Sequence, residues 1–280
     1  CLYDDRTNAV ATTVPWFHVG GMSSALAVML AGGSLVFPAS DEGSGGAAAS
    51  KGGVRKGFQP GMVLDSIQSN ENSASLSVVA ANTLVVVPAM LHAIADHVQE
   101  RFSTMIFPNV RLVLVGGQSI GNGRLYDETR RLFPKERIVQ TYACAEAGSS
   151  ITFGDLGWGI EIDGDNNCCH KPLDGSMSQN DGLDGAACVG CPPPHIQIRI
   201  FDAEAPLENI ARPPSLVPHG TMGIIGTRGP HVMSGYWNRG GDTPPTTNHS
   251  DGGDWMLMND LGYIHPRSEK IYSSVGVPTM

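Results

Sequence analysis

Three short loops in this sequence hold residues that could contact a small-molecule ligand. Phe17 and His18 precede a pair of glycines, Gly116 and Gly117 form a second glycine pair, and a third loop ends at Glu146. Glycine lets the backbone approach a ligand closely, while imidazole and carboxylate groups supply polar contacts. Because the chain has 18 Lys and Arg residues against 27 Asp and Glu residues, a phosphate ligand here would need a metal ion or backbone N–H groups.

A second candidate is a group of cysteines around one histidine. Its members are Cys168, Cys169, His170, Cys188 and Cys191. One C-x-x-C pair could begin a zinc site, but there is no second pair and the first three residues lie in a polar, Gly/Asp/Asn-rich stretch. The six cysteines are too sparse for a disulfide scaffold, so a reducing compartment is the default expectation.

The three candidate ligand-binding loops each follow a predicted strand. Residues 9–134 alternate short β-rich runs with helical runs, which indicates an α/β, doubly wound sheet with crossover helices. Predicted strands cover residues 9–17, 34–37, 84–87, 110–115 and 137–142, and predicted helices cover 22–30, 61–69, 88–101 and 124–133. Ligands gather at the carboxyl ends of strands in such a sheet, so we expect His18, Gly117 and Glu146 to open onto one crevice.

The last third of the chain has a different periodicity. Isoleucines alternate with other residues at 196–201, which predicts a smaller antiparallel, β-rich subdomain. The sequence therefore predicts an α/β portion at 1–187 and a β-rich portion at 188–280. Residues 41–56 and 154–187 are rich in Gly, Ser, Asp and Asn, and we expect both to be irregular, mobile surface insertions.

Composition excludes some functions. A formal charge of −9 argues against a nucleic-acid surface, which needs clustered cations. No window approaches the roughly 18 apolar residues of a membrane span. The chain starts at Cys1 without a recognisable targeting pattern and ends at Met280 without S-K-L, so we expect the natural N-terminus to lie upstream.

Five segments in order resemble the motifs of adenylate-forming acyl-CoA synthetases, the AMP-binding enzymes. They are P-W-F-H-V-G-G at 15–21, V-L-V-G-G-Q at 113–118, Q-T-Y-A-C-A-E at 140–146, the segment 223–237 ending in G-Y-W, and 255–263. Together they are a specific signal, although each alone would be weak. Residues 146–153, 188–196 and 227–233 look most like those of plant 2-succinylbenzoate–CoA ligases.

The resemblance implies two half-reactions. A carboxylate and ATP would give an acyl-adenylate and pyrophosphate, and the CoA thiol would then displace AMP. Mg²⁺ and positioning would supply most of the catalysis. The implied compartment is a plastid or a peroxisome, and the implied pathway is phylloquinone or menaquinone synthesis.

Site roles follow from the same resemblance. For the nucleotide, Tyr142 would stack on adenine, and Asp260 would accept the ribose hydroxyls. Glu146 would be the catalytic Mg²⁺ ligand, and His18 with Phe17 would border the acyl pocket, His18 as a second catalytic residue. The further predicted contacts are Gly116, Gly117, Gln118 and Ala145 for the nucleotide, and Gly148 and Ser149 for the substrate.

Each residue also has a simpler interpretation. His18 could be a turn histidine, Gly116 and Gly117 an ordinary strand-to-helix turn, Glu146 a solvated acid favoured by a helix dipole, and Asp260 a turn former. Ala145 stands where the motif has a threonine, whose missing hydroxyl removes one phosphate or metal-water contact. That bond would be worth about 1.5 to 3 kcal/mol.

Three functional hypotheses remain. The leading one is an incomplete piece of a working CoA ligase, since neither a phosphate loop nor a C-terminal domain with a catalytic lysine is present in these 280 residues. We expect this piece alone to be inactive in ATP turnover. The alternatives are a non-catalytic module that binds nucleotide or acyl groups, and a ligase for a fatty or aryl acid. The oligomeric state is not predicted.

Overall fold

The computed structural model describes residues 9–38, 58–68, 80–101, 105–118, 120, 124–134, 137–156, 158–162, 168–172, 187–203, 215–237, 246–249, 253–266 and 268–273. Two compact units emerge. Unit 1 comprises residues 1–114 and 123–137, and unit 2 comprises 115–122 and 138–280. The predicted insertion at 41–56 lies outside the described residues.

Unit 1 contains parallel strands and helices in alternation. Its elements are β1 (Ala9–Thr12), α1 (Val19–Leu30), β2 (Ser34–Val36), α2 (Pro60–Ile67), β3 (Thr83–Val86), α3 (Pro88–Arg101), β4 (Leu112–Val115) and α4 (Arg124–Leu132). Strand β1 pairs in parallel with β2 and with β3, and β4 lies beside β3. All four residues of β3 and of β4 are buried, as expected for strands covered on both faces.

Proline starts two helices of this unit. Pro60 opens α2, and Pro88 opens α3 directly after β3. The fixed φ of proline suits the first helical position, where its missing N–H would have had no intrahelical partner. The α3 face that is buried consists of Pro88, Leu91, Ile94, Ala95 and Val98, at the spacing of one helix stripe.

The described residues of unit 2 belong mainly to strands that pair in antiparallel. Its elements are β5 (Arg137–Cys144), β6 (Ser149–Asp155), β7 (Trp158–Ile162), β8 (Cys168–Pro172), β9 (Ala187–Gly190), β10 (Gln197–Phe201), β11 (Gly223–Arg228), β12 (Thr246–His249), β13 (Gly253–Ile264) and β14 (Ile271–Ser273). Strands β5 and β6 form an antiparallel pair, and β7 pairs with β8. A further sheet has the order β10-β11-β13-β14-β9, and β12 pairs with the first residues of β13 on the side opposite β11.

Strand β13 has a bulge in its pairing with β11. Gly226 lies opposite Leu257 and Ile224 lies opposite Leu261, so four steps along β13 face two steps along β11. Two extra residues are therefore accommodated around Met258 to Asp260. A bulge bends a strand locally and redirects the side chains at that point.

One core cluster joins the β5–β6 pair to the longer sheet. Its buried members include Tyr142, Ile151, Val189 and Ile225. The polar link is the Thr152 hydroxyl, which donates to the Val189 carbonyl at 2.5 Å. Backbone bonds between Phe153 and Cys191 at 3.0 and 3.1 Å extend the connection. The β5–β6 pair is thus connected to the longer sheet by both packing and hydrogen bonds.

The predicted fold class is confirmed: a parallel-rich α/β sheet is accompanied by a separate antiparallel sheet. Two features differ from the sequence-based expectation. Strand β5 continues to Cys144 and turns back into β6, and residues 158–162 and 168–172, inside the stretch predicted to be irregular, form a two-stranded sheet. The division at residue 187 stays a prediction.

Candidate functional site

A tight turn connects β5 to β6 and contains four of the predicted site residues of unit 2. Cys144 pairs with Ser149 across the turn, and the Gly148 N–H donates to the Ala145 carbonyl at 3.0 Å. Gly148 has a φ of 66° and Ser149 a φ of 151°. The left-handed backbone at Gly148 is accessible to glycine without strain. The turn therefore holds Ala145 and Glu146 at the exposed end of β5.

The Tyr142 side chain is tied to Asp260. Its hydroxyl donates to Asp260 Oδ2 at 2.7 Å. Only 5% of the Tyr142 surface is exposed, and the ring packs in the core cluster defined above. An O–H bond to a carboxylate at this distance is charge-assisted and stronger than a neutral one. Since the ring faces protein in this arrangement, its role toward adenine stays a prediction.

The bulge on β13 explains how Asp260 reaches Tyr142. Asp260 follows Met258, whose sulfur lies 3.7 Å from the Tyr142 hydroxyl. In a regular ladder, the position of Asp260 would be determined by pairing with a residue of β11. The extra residues of the bulge interrupt that pairing. Asp260 is half-buried.

Glu146 is held at two points by one loop. Its Oε1 accepts a hydrogen bond from the Tyr236 hydroxyl at 2.7 Å, and its backbone carbonyl accepts one from the Met233 N–H at 2.8 Å. Both donors belong to the segment 223–237 that resembles a family motif. The two contacts fix the backbone position and the direction of the carboxylate together.

The local electrostatics follow from these contacts. The Tyr236 hydroxyl lowers the pKa of Glu146, helped by the Glu146 backbone N–H and by the Cys144 thiol. Burial raises the pKa of Cys144 to about 11, and the charge of Glu146 adds to the rise. Burial also raises the pKa of Tyr142, together with its bond to Asp260. The turn therefore presents ionised Glu146 beside a neutral thiol.

The turn also packs against His231. A Cβ at Gly148 would lie 3.2 Å from the His231 carbonyl oxygen, so glycine is favoured by space as well as by its φ. His231 Nε2 lies 2.8 Å from the Thr227 hydroxyl, and burial lowers the pKa of His231. Its Nδ1 is buried without a hydrogen-bond partner among the residues described. Protonation there would leave an unpaired buried donor, which favours the neutral ring.

The second glycine loop lies next to β5 in the same unit. A Cβ at Gly116 would lie 3.1 Å from the Thr141 hydroxyl oxygen, and Gly117 has a φ of 87°. The Ile120 N–H donates to Gln140 Oε1 at 3.2 Å, which anchors the far side of the loop. Gly117 and Gln118 are exposed, so the backbone at these two residues is accessible to a ligand.

His18 and Phe17 belong to unit 1. His18 precedes α1 as its N-cap, and its Nδ1 accepts from the Gly20 N–H at 3.1 Å. Gly21 cannot be replaced easily, because a Cβ would lie 2.4 Å from the Pro15 carbonyl oxygen. The capping bond makes Nδ1 an acceptor, so the neutral imidazole has its proton on Nε2. The ring of Phe17 is 86% exposed.

The structure brings two predicted residues of unit 2, Tyr142 and Asp260, into contact, and it places Glu146 against Tyr236. Sequence reasoning assigned no role to Tyr236, Met233 or His231. Their position inside the segment 223–237 was the available signal, but that motif does not say which of its side chains returns to the turn after β5.

This architecture matches the AMP-binding enzyme family, whose model covers residues 53–237. The chain belongs to that family. A 2-succinylbenzoate–CoA ligase of Arabidopsis thaliana, described as chloroplastic/peroxisomal, is 26% identical over 260 residues, which are 89% of this chain and 36% of the relative. The chain therefore spans about a third of that relative.

Solved structures show the same fold. A long-chain-fatty-acid–CoA ligase from Archaeoglobus fulgidus superposes with a TM-score of 0.67 at 16% identity, over 96% of this chain and 44% of that one. ATP-bound MatB from Rhodopseudomonas palustris gives a TM-score of 0.62 at 18% identity, over 97% and 41% of the two chains.

No helix among the described residues has the length and apolarity needed to cross a membrane.

Proposed function

We propose that this protein takes part in ATP-dependent carboxylate–CoA ligation, in which an acyl-adenylate forms first and CoA then displaces AMP. Family membership supports the reaction class. The single observation that supports the site is the bond between Tyr142 and Asp260, because it joins two motif segments that lie 118 residues apart. The contact holds two candidate ligand-binding segments together before a ligand is present, as expected for a site that is largely preformed.

Asp260 is the proposed ribose contact. Tyr142 occupies Oδ2, while Oδ1 has no hydrogen-bond partner among the residues that the structure describes. The hydrogen bond from Tyr142 restricts rotation of the Asp260 carboxylate before a ligand binds. Less side-chain conformational entropy is therefore lost on binding. A ribose hydroxyl would then donate to Oδ1.

Glu146 is the proposed Mg²⁺ contact. No group of three or more His, Cys, Asp and Glu side chains that could hold a metal occurs in the part of the chain that is described. Mg²⁺ needs fewer protein ligands than that when substrate phosphates and water complete its shell, and one ionised carboxylate fits this use. When bound, Mg²⁺ would neutralise phosphate charge. The protein's share is to keep Glu146 ionised and oriented.

His18 is the proposed acyl-side residue. With Nδ1 occupied by the Gly20 N–H, the Nε2–H is the group that would donate to a carboxylate or carbonyl oxygen of the substrate. Exposed Phe17 next to it would offer apolar surface to the acyl chain. Gly116, Gly117 and Gln118 would line the adenine edge, as the resemblance implies.

We further propose 2-succinylbenzoate as the carboxylate, in a plastid or a peroxisome and in naphthoquinone synthesis. The support is the relative in Arabidopsis thaliana, at 26% identity. A fatty acid is the competing substrate, since a fatty-acid ligase shares the fold. A module that binds nucleotide without turnover is the competing function.

Calorimetry with non-hydrolysable acyl-adenylate analogues tests these proposals. We expect the 2-succinylbenzoyl analogue to bind more tightly than a palmitoyl analogue or AMP alone. Asp260→Asn should weaken binding about tenfold, equivalent to one charged hydrogen bond. The matched control is Asp254→Asn, an exposed carboxylate on the same strand, which should leave affinity unchanged.

Three outcomes would contradict parts of the proposal. Absence of binding by every analogue would exclude the nucleotide site, and tighter binding of the palmitoyl analogue would exclude the acyl assignment. In a full-length form of the protein, binding without thioester formation from 2-succinylbenzoate, ATP and CoA would favour the binding module over the ligase.

A further inference from the structure

Tyr236 is the side chain in the segment 223–237 that returns to the turn after β5. Its ring is 41% exposed, so the hydroxyl is not held in place by burial. Its bond to Glu146 at 2.7 Å is nevertheless short and charge-assisted, because the acceptor is a carboxylate.

The backbone on both sides of this contact is also fixed. The Met233 N–H binds the Glu146 carbonyl at 2.8 Å, and the Val232 N–H donates to the Gly229 carbonyl at 3.2 Å. At the other end, Gly148 closes the turn and approaches the His231 carbonyl. Residues 229–236 therefore lie along the turn at more than one point, and the Tyr236 hydroxyl reaches the carboxylate from an anchored loop.

Tyr236 occupies only one oxygen of Glu146. Oε1 accepts from the tyrosine, and the nearby Cys144 thiol is the second side-chain hydrogen-bond partner of the carboxylate. With an alanine at 145, the turn has no hydroxyl of its own at the position preceding Glu146. These two contacts restrict rotation of the carboxylate, and its remaining lone pairs could accept a ligand, since an ionised carboxylate has about four acceptor sites.

We propose that Tyr236 is a positioning residue that orients the Glu146 carboxylate for the cation of a bound Mg²⁺–nucleotide. This inference rests on the proposed function for its ligand, but the contact itself does not. The hydroxyl works through Glu146 and touches neither nucleotide nor metal. A purely structural tyrosine would affect stability but would not change how nucleotide affinity depends on Mg²⁺.

The test measures ATP binding across a Mg²⁺ titration. Tyr236→Phe retains the ring, and we expect it to raise the Mg²⁺ concentration for half-maximal ATP binding about three- to tenfold, below the full value of a charged hydrogen bond because the site is partly exposed. ATP affinity without Mg²⁺ should not change. In a Glu146→Gln background the tyrosine substitution should have no further effect, because its acceptor has lost its charge. Tyr126→Phe, on α4, is the matched control.

The unfolding temperatures of the same variants test the contact without any ligand. Tyr236→Phe and Glu146→Gln should be non-additive in a double-mutant cycle. Additive unfolding temperatures would overturn the inference even if ATP binds. If Tyr236→Phe weakened ATP binding equally with and without Mg²⁺, that result would also overturn the inference. Absence of ATP binding in the unmodified protein, together with a non-additive cycle, would instead exclude the proposed function and the Mg²⁺ role while the tyrosine–carboxylate contact stands.

Discussion

Removal of the Tyr142 hydroxyl is the most direct test of the link between β5 and β13. Tyr142→Phe retains the buried ring, so it changes the core little. It removes the donor of the 2.7 Å bond to Asp260. Hydrogen bonds to charged groups contribute about 1.5 to 3 kcal/mol. Because Asp260 is half-exposed and water can replace the donor, we expect a loss near the lower limit, about 1.5 kcal/mol.

Thermal and urea unfolding measure this loss. At about 2 to 4 °C per kcal/mol for a chain of this size, the unfolding temperature should fall by about 3 to 6 °C. Tyr126→Phe is the control. Its side chain is half-buried on α4, and its hydroxyl forms no recorded bond with another described residue, so the change should stay within about 0.5 kcal/mol.

The pH dependence gives a second, independent check. Burial and Asp260 raise the pKa of Tyr142 in the folded protein. The stabilisation is therefore fully present below the tyrosine pKa of the unfolded chain, about 10. Above that pH the unfolded tyrosine ionises first, so the native protein loses stability and the difference from Tyr142→Phe narrows. An unfolding temperature equal to that of the unmodified protein, or a difference that stays constant from pH 7 to 11, would refute this reasoning.

Two further predictions concern the turn after β5. Gly148→Ala should destabilise the protein by about 1 to 2 kcal/mol, because the residue has a φ of 66° and its Cβ would crowd the His231 carbonyl. Gly61→Ala, in the first turn of α2, should instead stabilise by less than about 0.5 kcal/mol, because the propensity difference is largest in a helix interior. Comparing the unfolding temperatures of the two variants shows whether the cost at Gly148 comes from its conformation. Cys144 should react slowly with alkylating reagents at pH 8, since burial raises its pKa to about 11 and the thiolate is the reactive form. Peptide mass spectrometry resolves this thiol from the others, and rapid modification of Cys144 in the folded protein would contradict the assigned burial.

Much of the fold could be predicted from local sequence signals. Pro88 after a buried β-branched run marks the junction of β3 and α3, and alternating isoleucines mark β10. Both signals act over a few residues, where sterics and burial determine the local structure. The ends of strands were less accurate: β1 stops at Thr12, because Pro15 and the capping His18 already begin the turn into α1.

The candidate site was only partly predictable, for a physical reason. A motif identifies residues that share a segment, but the contact between Tyr236 and Glu146 joins positions 90 residues apart. Such a pairing depends on the register of β11 and on the loop behind it, which no local pattern encodes. Likewise, the antiparallel return of β6 follows from the tight turn at Gly148, and no strand was predicted at residues 149–155.

The bulge in β13 leaves the two faces of that strand unchanged. Leu257 and Leu261 flank the extra residues and pack in the same cluster with Trp255, whereas Met256, Met258 and Ile264 pack in the other. An insertion of two preserves the alternation of a strand, while an insertion of one would exchange its faces. Loss of both extra residues would therefore remove Asp260 from its place beside Tyr142 and still leave a continuous ladder. Loss of a single residue would instead turn every later side chain of β13 toward the wrong layer. Insertions and deletions in the segment that presents this carboxylate would therefore be tolerated by the fold only as even numbers of residues.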